Sequence, residues 1–191
     1  MTLAEVDSIV RPGFERNVSS VSYFFTGIGA DIGCGSCPLI NPICKFYVDQ
    51  SPQPLAVEKI KQCLEITPKT FTPKFFIGDC RTSLIGESVD FIFSSHMLED
   101  LEDTDEMIRC LNIWTTSLNK NGVIILILPD MENGRYPKVG DPGGNPSHRI
   151  NIGPDLFMKE IFPNLLDLKL LQLLAIPQSS ESFDVVLGRK S

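Results

Sequence analysis

No stretch of this chain is apolar for long enough to cross a bilayer. Its longest uninterrupted apolar run, Val123 to Pro129, falls far short of the roughly 20 residues a spanning helix needs. Basic residues are in deficit, 17 against 24 acidic ones, for a net charge of −7. A field of that sign disfavours any role in which the chain grips nucleic acid or an anionic membrane. The N-terminus, Met1-Thr2-Leu3-Ala4-Glu5-Val6-Asp7, carries acids where an export signal has a basic region. Reduced cysteines and a cytoplasmic location are therefore expected. There is no second Cys-x-x-Cys to match Cys34 and Cys37, so those two and Cys44 make a poor structural zinc site, and no metal is expected. Nor do Cys34 and Cys37 open a helix in the manner of a redox pair. Repeats, linkers and low-complexity tracts are also absent.

What is present is an ordinary globular balance, 42% hydrophobic and 21% charged over 191 residues, enough for one domain with a substantial core. Short apolar runs bounded by turn residues predict strands near 28–32, 45–48, 74–77, 89–94, 122–128, 166–175 and 183–188. Helical patterns lie between them. Leu55, Lys59, Ile60, Cys63 and Leu64 form one stripe, after Pro52 and Pro54. Met107, Ile108, Leu111, Ile113, Trp114 and Leu118 form a second, with Asp103 or Thr104 as cap and Asn121-Gly122 as its close. Leu156, Phe157, Ile161 and Phe162 form a third, begun by Pro154-Asp155. Strands alternating with helices imply βαβ units and a mainly parallel sheet. No helix separates the last two strands, which reads as an antiparallel hairpin at one edge. Residues 131–153, with three prolines and five glycines, form a long irregular stretch of the kind that is usually functional.

Ligands of open parallel sheets bind at the carboxyl ends of the strands. Here those ends are Gly33 and Gly35, then Asp49 with Gln50, then Gly78-Asp79-Cys80, then Ser94-Ser95-His96, then Pro129-Asp130. Five strands in succession each end in residues able to hold or abut a ligand. A glycine-rich turn lets backbone approach a ligand, and an acid ending the next strand suits ribose hydroxyls. A dinucleotide oxidoreductase fits less well. Gly33-Cys34-Gly35-Ser36-Cys37-Pro38 lacks the third glycine of that fingerprint, and Pro38 and Pro42 oppose the helix that should receive a pyrophosphate.

Three segments together resemble the class I S-adenosylmethionine-dependent methyltransferases. Asp31-Ile32-Gly33-Cys34-Gly35 is similar to the family's glycine motif. Residues 89–99, Val-Asp-Phe-Ile-Phe-Ser-Ser-His-Met-Leu-Glu, resemble its fourth-strand signature. Residues 118–126 resemble the turn and strand that follow the fourth helix. The resemblance implies an α/β, three-layer Rossmann-like fold, with a mainly parallel seven-stranded sheet whose last strand is antiparallel. It divides residues 1–191 into a lead-in (1–27), a cofactor-binding core (28–130), an acceptor-side loop (131–153) and a C-terminal helix with β-hairpin (154–191).

The implied cofactor is S-adenosyl-L-methionine, leaving as S-adenosyl-L-homocysteine. Gly33 and Gly35 would face its methionine part and Asp31 would anchor the amino group. Asp49, with Gln50 beside it, would bind the ribose. Asp79 and the Cys80 backbone would hold the adenine, and Ser94 and Ser95 would border the sulfonium. Two departures stand out. Cys37 replaces the third glycine, and the Asp31–Asp49 segment is too short and proline-broken for a full helix, as in a compact subgroup with a shortened first crossover. A third, Asp100 where the signature often has histidine, suggests no chemistry by itself.

On the acceptor side His148 is the first candidate base, with Asp130 and His96 as further catalytic candidates. Tyr136 is a weaker candidate to stack on the acceptor, and Trp114 reads as packing. The acceptor is expected to be a small molecule or a saccharide, and the protein a monomer or homodimer, with the Leu165–Leu174 run as a buried edge or a dimer surface. A non-catalytic module that binds the cofactor or a partner protein is the alternative.

Overall fold

The computed structural model describes residues 18–35, 38–39, 43–50, 73–82, 85–175 and 181–190. Seven strands form one sheet: β1 (Gly29–Ile32), β2 (Cys44–Asp49), β3 (Lys74–Ile77), β4 (Val89–Ser95), β5 (Leu118–Pro129), β6 (Leu168–Ala175) and β7 (Ser182–Arg189). Their order is β3-β2-β1-β4-β5-β7-β6. The pairs from β3 through β5 are parallel, while β7 runs antiparallel to both β5 and β6. This is the Rossmann-like sheet expected from the sequence, including the terminal hairpin. Strands β1, β4 and β5 are buried almost throughout, as strands covered on both faces must be.

One face is covered by helix α1 (Thr104–Thr116) and by a helical segment at 154–164. The α1 stripe Met107, Cys110, Leu111, Trp114 and Thr115 follows the i, i+3, i+4, i+7, i+8 spacing and is wholly buried. Asp103 caps the helix by accepting from the Glu106 amide at 2.8 Å, and the Glu106 carboxylate reaches back to the Glu102 amide. The segment at 154–164 is not one regular helix. It passes from an α turn (Pro154–Leu156) through a π turn (Phe157–Ile161) to a 3₁₀ turn (Phe162–Asn164), as Pro163 breaks the ladder. The opposite face is covered by 3₁₀ turns at Val18–Ser20 and Ser22–Phe24, with Val18, Val21 and Phe25 packed on Phe91 and Phe93.

Several boundaries differ from the sequence reading. Helix α1 ends at Thr116, before Leu118, which pairs with Val89 as the first residue of β5. Asn121-Gly122 therefore does not close the helix. The register jumps from Val89↔Leu118 to Phe91↔Val123, so residues 119–122 bulge from the sheet, with Asn121 at φ +67° and the Asn119 amide nitrogen donating to Asp90. Leu166, expected in a strand, is exposed ahead of β6. The predicted helix over 55–64, with Cys63, and most of the 1–27 lead-in lie outside the described residues, as do Cys37, Pro42 and much of the first crossover.

Strand order reverses beside β1: β2 and β3 lie to one side, β4 and β5 to the other. Such a switch point opens a crevice at the carboxyl ends of β1 and β4, where Gly33 and Ser94-Ser95-His96 emerge.

Candidate active site

The chain leaves β1 through Gly33, at φ +74°, a backbone region that L side chains rarely adopt. A Cβ there would also lie 2.4 Å from Met97, so glycine is required on two counts. The Gly33 amide donates to the Val48 carbonyl at 2.8 Å, and the Gly35 amide donates to Asp49 Oδ2 at 2.8 Å. The acid ending β2 thus fixes the glycine turn that follows β1. Asp31 is buried (2% exposed), and its Oδ2 accepts from the Leu39 amide at 2.6 Å. Tyr47 donates to the Leu39 carbonyl at 2.9 Å. These two bonds tie down the described part of the first crossover.

A cavity of about 330 Å3 opens at this edge. Gly33, Val48, Asp49, Gln50, Gly78 and Cys80 form one side of it; Met97, Asp100, Leu101, Glu102, Glu106, Arg81 and Arg149 form the other. Four carboxylates against two guanidiniums give it a negative balance suited to a cationic ligand. Burial raises the Asp100 carboxyl above its ordinary range, partly offset by the Ser147 hydroxyl donating to it at 2.8 Å.

Not every expected residue reaches the cavity. Gly33, Asp49, Gln50 and Cys80 line it, and Gly35 is held to Asp49. The carboxylate of Asp79 is instead clasped by Arg81, whose guanidinium holds it down to about 2. The Cys80 backbone is fixed from behind, its carbonyl accepting from Trp114 Nε1 at 2.9 Å. Trp114 is thus packing, as expected, and also sets the wall of the cavity. Ser94 and Ser95 do not line the cavity; their hydroxyls are buried without a hydrogen-bond partner among the described residues. Cys34, Cys44, Cys80 and Cys110 are buried free thiols; burial pushes Cys34 and Cys44 well above the ordinary thiol range, so they are inert.

A second group lies beside the cavity. His96, at φ +52°, directs Nε2 to the Ser182 hydroxyl at 2.8 Å and Nδ1 toward Glu99 Oε1 at 3.4 Å. His148 Nε2 approaches the same Glu99 oxygen at 3.3 Å. Tyr136 completes the group, its ring 5.2 Å from His148 and 5.8 Å from His96. The 131–153 stretch that delivers Tyr136 and His148 is well tied: Met131 N–H donates to the Ile152 carbonyl, Arg149 N–H to the Glu99 carbonyl, and Val139 N–H to Asn151. Asp130 is fully buried and turned onto its own loop, where Asn133 donates to both its oxygens and Arg135 pairs at 3.7 Å. Its carbonyl accepts from the Tyr136 amide at 3.1 Å, so it positions Tyr136 rather than facing the group itself.

Two partners of this group escaped the sequence reading. Glu99 follows His96 by three residues and sits in the short helix Leu98–Asp100, and that spacing was the available signal. Arg149 gave no signal beyond adjacency to His148.

The pattern of the family described as a methyltransferase domain matches residues 30–126. No curated protein matches the chain by sequence. Among solved structures, the N-methyltransferase NodS of Bradyrhizobium japonicum, in complex with S-adenosyl-L-homocysteine, superposes with a TM-score of 0.64 at 15% identity, over 98% of this chain and 87% of that one. An S-adenosylmethionine-dependent methyltransferase of Clostridium acetobutylicum gives 0.67 at 10% identity, over 98% and 97%. The CcbJ methyltransferase of Streptomyces caelestis gives 0.66 at 13%, over 98% and 90%. The sheet order, the glycine turn at the switch point and the matched half of the sequence agree: this chain belongs to the class I S-adenosylmethionine-dependent methyltransferase family.

Proposed function

We propose that the protein is an enzyme that transfers a methyl group from S-adenosylmethionine to a small polar acceptor. The observation that carries this reading is the cavity at the β1–β4 switch point, with Gly33, Asp49 and Cys80 converging on it. Its volume falls in the range of small-molecule sites, and its negative lining suits a sulfonium cation. The Asp49 carboxylate accepts from Gly35, and a carboxylate can accept several bonds at once, so it would also receive ribose hydroxyls. Gln50 stands beside it. Cys80, fixed by Trp114, would lie against the adenine, and the Gly33 turn would face the methionine part. Asp31 and Asp79 would act at one remove, Asp31 by holding the crossover and Asp79 by holding Arg81 on the cavity wall.

When bound, the cofactor supplies an electrophilic methyl on sulfur. The chain supplies alignment and exclusion of water, which account for most of the effect in such a displacement. His96, Tyr136 and His148 would receive the acceptor, with Asp130 and Asn133 holding their loop. The acceptor in this reading is a small metabolite or a saccharide hydroxyl.

Calorimetric titration with S-adenosylhomocysteine tests the reading. Micromolar binding by the wild type that Asp49→Ala abolishes is the expected result. Absence of binding by folded wild-type protein would overturn it.

A further inference from the structure

His96, Glu99 and His148 present three metal-ligating atoms within 4.8 Å of one another. We propose that they bind a divalent transition ion, which holds and activates a hydroxyl group of the acceptor. The metal site rests only on these side chains; its role on the acceptor rests on the methyl-transfer reading.

Burial makes the first argument. Glu99 is 0% exposed, yet among the described residues neither of its carboxyl oxygens finds a hydrogen-bond partner. His148 is 4% exposed, and neither ring nitrogen finds one among them. Buried polar groups are nearly always satisfied, and an orphaned carboxyl is among the most costly exceptions. The two groups face each other at 3.3 Å without the geometry of a hydrogen bond.

Distances make the second. His96 Nδ1 and His148 Nε2 stand 3.4 and 3.3 Å from the same oxygen, Glu99 Oε1. Zinc–nitrogen and zinc–oxygen bonds are about 2.0–2.2 Å, and the edge of a tetrahedron with such bonds is about 3.3–3.6 Å. Those two spacings are those of neighbouring ligands around one ion, and the two nitrogens lie within 4.8 Å of each other. Two imidazoles and a carboxylate also form a donor set of catalytic zinc sites, which keep a further position open.

The surroundings make the third. The far nitrogen of His96 is hydrogen-bonded to the Ser182 hydroxyl, an outer contact of the kind that orients metal-bound histidines. Each ligand is followed in sequence by a residue of the cavity wall: Met97, Asp100 and Arg149. The ion would therefore adjoin the proposed cofactor site. An acceptor hydroxyl bound to it would give its proton to water near neutral pH. The oxygen then forms the O–CH3 bond as the S–CH3 bond breaks, and the electron pair of that bond stays on sulfur.

The test uses full-length protein stripped with a chelator and titrated with Co2+, followed by absorbance and calorimetry. One equivalent should bind with a visible tetrahedral spectrum and no thiolate charge-transfer band, and Zn2+ should displace it. Glu99→Gln and His148→Ala should each weaken binding at least about tenfold, while Asp49→Ala leaves it unchanged. Circular dichroism shows whether each variant is folded. No Co2+ binding by folded wild type, or binding indifferent to both Glu99→Gln and His148→Ala, would overturn the proposal. Loss of S-adenosylhomocysteine binding with Co2+ binding intact would refute only the methyl-transfer reading.

Discussion

The two halves of the candidate site are built in opposite ways. The cofactor side is assembled from neighbours in the sheet, β1 and β2, whose ends meet because parallel pairing places Ile32 opposite Val48. Its polar groups satisfy one another: Asp49 takes the Gly35 amide, Asp31 the Leu39 amide, and Asp79 the Arg81 guanidinium. The side proposed for the acceptor draws on residues 96–99, 136, 148 and 182, distant in sequence, and leaves Glu99 and His148 buried without hydrogen bonds among the described residues. One half has its polar groups paired before any ligand binds. The other carries a cost that something bound there would offset.

The largest effect should come from the satisfied half. Asp49→Ala removes both the proposed ribose contact and the anchor of the glycine turn, so S-adenosylhomocysteine affinity should fall about a hundredfold or more, since hydrogen bonds to charged groups are worth roughly 1.5–3 kcal/mol each. Unchanged affinity in calorimetry would mean that the turn holds without its acid.

Asp184 offers a contrast to Glu99. It too is buried, but it accepts from the Ser20 hydroxyl. Burial raises its carboxyl from the ordinary 3.8 to about 6. The native state therefore binds this proton more tightly than the unfolded chain does. Stability falls as pH rises between those two values and stays lowered above them. Asp184→Asn should remove this loss, raising stability at pH 7 by at most ~3 kcal/mol and changing nothing below the lower value. Denaturant titrations at several pH values would show the difference, and a gain that persists at low pH would rule out this cause.

For Glu99 itself, in chelator-treated protein, Glu99→Met should stabilise by about 1–3 kcal/mol because it removes an orphaned buried carboxyl. A lowered melting temperature would show that Glu99 has partners in the folded metal-free state. Trp114→Phe removes the bond that fixes Cys80 and should cost about 0.5–1.5 kcal/mol of stability, with a several-fold loss of S-adenosylhomocysteine affinity. If affinity is unchanged, the Cys80 wall is held by packing alone.

The cofactor side was legible in sequence because its signals are local. Glycines after an apolar run, then an acid after the next, state which strand ends there and what the turn can hold. The acceptor side was only half legible. His96 and His148 stood out as the two histidines of the chain, but Glu99 sits in a run of four acidic residues, Glu99, Asp100, Glu102 and Asp103, which reads as a solvated turn. Its complete burial follows from the docking of residues 148–150 over it, through the Glu99 carbonyl, and no local pattern carries that information. Asp130 misled for the same reason. An acid at a strand end can face a ligand or its own loop, and Asn133 and Arg135 decided in favour of the loop.

The sequence by itself determined the class of fold, the sheet with its terminal hairpin and the glycine turn, because periodicity and turn chemistry act over a few residues. The tertiary structure alone decided where β5 begins, which acids turn inward, and that two histidines 52 positions apart share one carboxylate. Those outcomes depend on how distant segments exclude water from one another, and burial is a property of the packed chain rather than of any segment in it.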